Sequence, residues 1–262
     1  MGFDEPREFA AARAPRPVAV AGDFAVRCLV ANEPLTYVLE DSIAVVTMDD
    51  GKANALSVAM IDALLAALDR AEGEAKAMVL AGRPERFCAG FDLRVMMSGP
   101  EQAKALLARG SELLLRLYDA TIPLVIACTG HALAGGALVV LTGDHRIGAR
   151  GEFKLGLNEV SIGLPVPVLA MELARDRLVK TELHRATMLA QIYAPDDALR
   201  AGYLDEVVTA DQVVARAKTE AVRLGGFAKQ AFRATKIRLR RATIDFIRAS
   251  LESDMKSIVM PG

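Results

Sequence analysis

Between residues 124 and 143 the chain runs for 20 residues without a formally charged side chain. A run of that length can cross a bilayer as one helix. Here Gly130, His131, Gly135 and Gly136 break it, and no aromatic anchors flank it closely. It reads instead as two buried pieces, a strand over 123–128 and a short helix at Gly135–Thr142. A short apolar strand of this kind is typical of a buried parallel sheet, which points to an α/β arrangement.

The rest of the composition bounds the class. A chain of 262 residues can bury a full core, as one large domain or one and a half. Its 33 acidic and 32 basic residues leave a formal net charge of −1. That balance offers no general field for nucleic acid or an anionic membrane, and neither is expected as a partner. A local basic group at Arg233, Lys236, Arg238, Arg240 and Arg241 is most simply a solvated helix face, with phosphate contact as the alternative. Cys28, Cys88 and Cys128 show no CxxC spacing, which argues against a disulfide framework and a zinc site. The first residues carry Asp4, Glu5 and Glu8 rather than a basic start and an apolar run. A cytoplasmic location is therefore expected.

Along the chain, residues 1–34 read as an extension without sustained period. Segments 36–39 and 43–48 predict a hairpin around Asp41-Ser42. Ser57 can cap a helix that repeats Ile61, Leu64, Leu65 and Leu68 on one face, and 76–80 follows as a buried strand. A second helix is predicted over 101–120, with Leu106, Leu113 and Leu117, and a further strand over 146–149. From Val168 the pattern is mostly helical, broken at Pro195, Gly202 and Gly225-Gly226. In the last helix Ile244, Ile247 and Leu251, with Phe246 beside them, either meet another subunit or pack on the chain's own core.

Three segments could carry chemistry. Ala89 and Gly90 form a small pair between Phe87 and Phe91. Gly135-Gly136 follows a strand and opens a helix, where an N–H has no partner inside the helix and lies at the positive end of its dipole. Such amides can hold a developing oxyanion; equally, the glycines can serve close strand–helix packing. The third segment places Glu159 among Leu155, Leu157, Val160 and Ile162. Burial there would raise its pKa and make a stronger base, whereas an exposed loop carboxylate would do neither. His131 and His145 lie in or beside apolar sequence and read as structural. No GxSxG, HExxH, phosphate-loop or dinucleotide fingerprint is present.

In this order and spacing, the segments around Lys52-Ala53-Asn54-Ala55-Leu56, Ala89-Gly90-Phe91-Asp92, Gly135-Gly136 and Glu159 resemble the crotonase superfamily of enoyl-CoA hydratases and isomerases. So does Ala198-x3-Gly202-Tyr203-Leu204. The resemblance implies a spiral of ββα units over 35–195 and a helical oligomerisation region over 196–262. It implies a homotrimer or a dimer of trimers. It also implies an acyl-CoA thioester whose oxygen sits between the amides of Ala89 and Gly135. Ala89, Gly90, Phe91 and Asp92 would line the acyl-CoA site, and Ala53 and Ala55 would lie near the adenine. Coenzyme A would enter as part of the substrate, with no metal or redox cofactor.

The departure from the hydratase pattern is informative. Hydratases of this family carry a second catalytic glutamate in the helix after the glycine pair, and here that position is Leu138. Leu138 cannot position water, so the chain is more similar to the single-glutamate Δ3,Δ2-enoyl-CoA isomerases. A weak hydratase, another crotonase-type reaction and a non-catalytic acyl-CoA binder remain as alternatives.

Overall fold

Nearly every residue of Ile43–Met48, Ala77–Gly82 and Leu124–Cys128 is buried, whichever side of the strand it faces. Strands of this kind need cover on both faces, as in a parallel sheet between helices. The computed structural model describes residues 33–257. Its elements run β1 (Leu35–Glu40), β2 (Ile43–Met48), α1 (Val58–Glu74), β3 (Ala77–Gly82), β4 (Glu85–Cys88), α2 (Leu93–Met96), α3 (Pro100–Tyr118), β5 (Leu124–Cys128), β6 (Gly130–Leu133) and α4 (Gly135–Thr142). Then come β7 (His145–Ala149), β8 (Leu155–Gly156), a 3-10 turn at Val160–Ile162, α5 (Val168–Arg177), α6 (Lys180–Thr187), α7 (Pro195–Ala201), β9 (Glu206–Val208), α8 (Val213–Gly225) and α9 (Lys229–Ser257).

The main sheet has six strands in the order β1-β2-β3-β5-β7-β9. Only the β1–β2 hairpin, turned at Asp41-Ser42, is antiparallel. On one face Val213, Ala217, Ala221 and Leu224 of α8 pack on Ile43, Val45, Val79, Val125 and Ile147. On the other face Val46, Met48, Leu80 and Ile126 meet α1, α3 and α4 through Leu64, Leu113 and Val140. Each such fully buried side chain contributes roughly 1.5–3 kcal/mol. The Ser57 hydroxyl accepts from Met60 N–H at 3.2 Å and caps α1 as expected.

A second sheet holds β4, β6 and β8 in parallel; it supplies the second strand of the ββα units that the resemblance implies, although the short strands themselves were not predicted. Each of these short strands follows a main-sheet strand, so β3-β4, β5-β6 and β7-β8 are three turns of one spiral. The small sheet positions the site, because its three strands end at Cys88, Leu133 and Gly156 and lead directly into Ala89, Ala134 and Leu157.

The region 196–262 is not only a helical appendage, since β9 completes the main sheet and α8 covers it. The basic group divides: Arg238 and Arg241 are exposed as expected, whereas Lys236 and Arg240 are 5% and 2% exposed. They reach Asp144 at 2.8 and 3.0 Å, while Arg240 also donates to the carbonyls of Tyr118 and Thr142. Ile244 and Ile247 are buried in the chain's own core, while Phe246 is exposed. The extension expected over 1–34 lies, up to residue 32, outside the described residues. No described helix is long and apolar enough to cross a membrane.

Candidate active site

The ends of β4 and β6 are brought together by glycines that allow backbone contact. A Cβ at Gly136 would lie 2.0 Å from the Cys88 carbonyl oxygen, so α4 can approach β4 only without a side chain there. Gly90, at φ +97°, packs less tightly on the neighbouring loop. A Cβ on it would sit 3.2 Å from the Gly135 nitrogen and 3.0 Å from the Leu133 oxygen. The packing and amide readings of these glycines thus divide between residues: Gly136 makes room, and Gly135 begins α4.

The Gly135 N–H makes no hydrogen bond among the described residues, and it lies at the positive end of α4. Ala89 is different and corrects the expectation. Its N–H donates to the Ala53 carbonyl at 3.0 Å and is not free for a ligand. The Gly90 N–H faces the buried sulfur of Cys88. Leu56 N–H donates to Gly90 O at 2.8 Å and Asp92 N–H to Leu56 O at 3.3 Å, a parallel bridge between Leu56 and Phe91. In such a bridge the N–H of the central residue, Phe91, points away from its partner. It makes no hydrogen bond among the described residues. Residue counting could not separate these amides, because their partners are some thirty residues upstream.

The neighbouring side chains have definite tasks. The Phe91 ring fills the space beside Gly110 and Gly135, where a Cβ would come within 2.1 and 3.1 Å of it. The Asp92 carboxylate accepts from Arg94 N–H at 2.9 Å and caps α2. Ala53 and Ala55 are half-buried and Ala89 is exposed. Leu138 is buried one turn into α4.

Glu159 closes the arrangement from the end of β8. It is 8% exposed, and its Oε2 has no hydrogen-bond partner. Burial pushes its carboxyl up to about 7, opposed by its own backbone N–H. Near neutrality such a group can both take and return a proton. Tyr203, wholly buried, lies near it; the sequence placed it in a family motif but gave it no role in the site. His131 accepts from Lys154 N–H at 3.0 Å and packs on Phe153, consistent with a structural part.

Residues 39–259 match the family model described as enoyl-CoA hydratase/isomerase. The chain is 31% identical over 227 residues to the mitochondrial enoyl-CoA delta isomerase 1 of Rattus norvegicus, covering 83% of this chain and 77% of that protein. A solved enoyl-CoA hydratase/isomerase family protein of Pseudomonas syringae superposes with a TM-score of 0.83 at 38% identity, over 86% of this chain and 98% of the other. An enoyl-CoA hydratase of Mycobacterium marinum superposes with a TM-score of 0.81 at 39% identity, over 86% and 99%. With this fold, this site and these relatives, the chain belongs to the enoyl-CoA hydratase/isomerase family.

Proposed function

We propose that the protein is a Δ3,Δ2-enoyl-CoA isomerase working with Glu159 as its only base. Ionised Glu159 takes a proton from C2 of a 3-enoyl-CoA, and the electron pair moves into the thioester to form a dienolate. The amides of Phe91 and Gly135 hold its oxygen. Protonated Glu159 then returns the proton at C4, leaving the 2-enoyl product. Loss of one such oxyanion donor typically costs about 2.7–4 kcal/mol. Coenzyme A arrives with the substrate, and neither a metal nor a redox centre is needed.

The observation that carries this reading is the buried Glu159 carboxylate, one oxygen of which has no partner among the described residues, with apolar Leu138 where a hydratase of the family has a second carboxylate. The names of the relatives do not decide it, since both activities occur among them. Buried free Cys88 and Cys128 fit the reducing cytoplasm expected from the sequence. A homotrimer or dimer of trimers is proposed on the family resemblance, and a stable monomer in sedimentation at micromolar concentration, about 10⁻⁶ M, would contradict it.

A panel of 2-enoyl- and 3-enoyl-CoA substrates with product identification tests the reaction. Isomerisation should exceed hydration. Rapid hydration of crotonyl-CoA without turnover of 3-enoyl-CoA would overturn the assignment. Leu138→Glu should raise the ratio of hydration to isomerisation by about 10-fold or more, since it supplies a second general acid–base group.

A further inference from the structure

We infer that Asn54 is a positioning residue for this reaction, tying the segment that arranges the Phe91 amide to the strand that delivers it. The inference rests on the oxyanion reading above. Asn54 is wholly buried and sits at φ +52°. Its Oδ1 accepts from Asp50 N–H at 3.0 Å. Its Nδ2 donates to the carbonyls of Met48 and Arg86 at 3.0 Å and of Phe87 at 3.1 Å. The Asp50 carboxylate in turn accepts from the N–H groups of Lys52 and Asn54 at 2.8 and 2.9 Å. One side chain therefore joins the end of β2 to the last residues of β4.

Both polar atoms of Asn54 are engaged and buried, so it is not placed to bind a ligand. Its neighbours do the arranging. Ala53 O holds the Ala89 N–H, Leu56 N–H holds Gly90 O, and Leu56 O holds the Asp92 N–H. With the Gly90 N–H on Cys88, Phe91 keeps the one amide between 89 and 92 without a partner among the described residues. If 53–56 shifts, Ala89 is released and the Phe91 N–H loses its fixed direction. Preorganised donors work only when fixed beforehand, and a misplacement near 1 Å can cost about 10²-fold in rate.

The test uses Asn54→Gly, which keeps the positive φ accessible, and Asn54→Ser, which keeps a short polar group. Both are assayed where circular dichroism shows them folded, and the serine variant carries the test if the glycine variant unfolds. The expected result is a fall in kcat on 3-enoyl-CoA of about 10²-fold for glycine, less for serine. Affinity for butyryl-CoA, a ground-state mimic, should stay within about threefold. The Raman carbonyl stretch of bound 2-enoyl-CoA should be red-shifted in the parent and less so in the variants. A folded variant with kcat within about threefold of the parent, an equal fall in kcat and affinity, or an undiminished carbonyl shift overturns the inference. If the parent itself shows no red shift, it is the oxyanion reading that fails.

Discussion

Two carboxylates near α4 are treated in opposite ways. Asp144, just past the end of the helix, is largely buried and fully paired: it accepts from Leu124 N–H and Lys236 at 2.8 Å and meets Arg240 at 3.0 Å. Glu159 follows β8, whose last carbonyl accepts from Ala134 N–H just before the helix starts. It is equally hidden, yet one oxygen has no partner. A carboxylate paired with cations serves the architecture. One kept from both water and cations sits near its midpoint at neutral pH, where it can exchange protons.

The largest expected effect is on turnover. Glu159→Gln keeps the shape but not the base, so kcat on 3-enoyl-CoA should fall by about 10²–10⁴-fold or more. Acyl-CoA affinity should hardly change in a titration, because the amides of Phe91 and Gly135 remain. Turnover within about threefold of the parent would remove Glu159 from the mechanism, whereas absence of turnover in the parent itself would bring the acyl-CoA binder to the front.

On the paired side the effect is on stability. Arg240→Met strands the Asp144 charge beside Lys236 and opens the Tyr118 and Thr142 carbonyls, and should cost about 3–5 kcal/mol in urea unfolding. A loss under about 1 kcal/mol would mean that the cluster is not a structural ion set.

Next in size is the pH dependence of stability. Glu159 titrates near 7 in the fold against an ordinary 4.5. Between those values the folded state holds more protons than the unfolded one, so stability falls as pH rises from about 4.5 to 7. Glu159→Gln removes that slope and should stabilise the protein by about 2–3 kcal/mol at pH 8. Activity should run the other way, rising with pH as the base ionises. Parallel pH curves for parent and variant would show that Glu159 is not desolvated.

The smallest effect is expected at Arg233 and Asp119, a pair with both side chains 26% exposed. Arg233→Met should cost about 1 kcal/mol or less. A cost matching that of Arg240→Met would erase the distinction between solvated and buried pairs.

Much of this was legible in the sequence. The hairpin, the cap at Ser57 and the bounds of α4 follow from alternation, spacing and glycine placement within a few residues. Glu159 was legible because its apolar neighbours adjoin it in the chain. The small sheet was not, because β4, β6 and β8 have four residues or fewer and show no period of their own.

The sequence by itself determined the family and which segments supply the chemistry, because small residues, glycines and one carboxylate stand at recognisable spacings. Only the tertiary structure decided which amide is left open and which cations are buried. Those outcomes depend on partners far away in the chain: Asn54 with Arg86 across 32 residues, and Arg240 with Tyr118 across 122. A backbone N–H is free or taken, and an arginine solvated or buried, according to what folds against it. No local pattern records that.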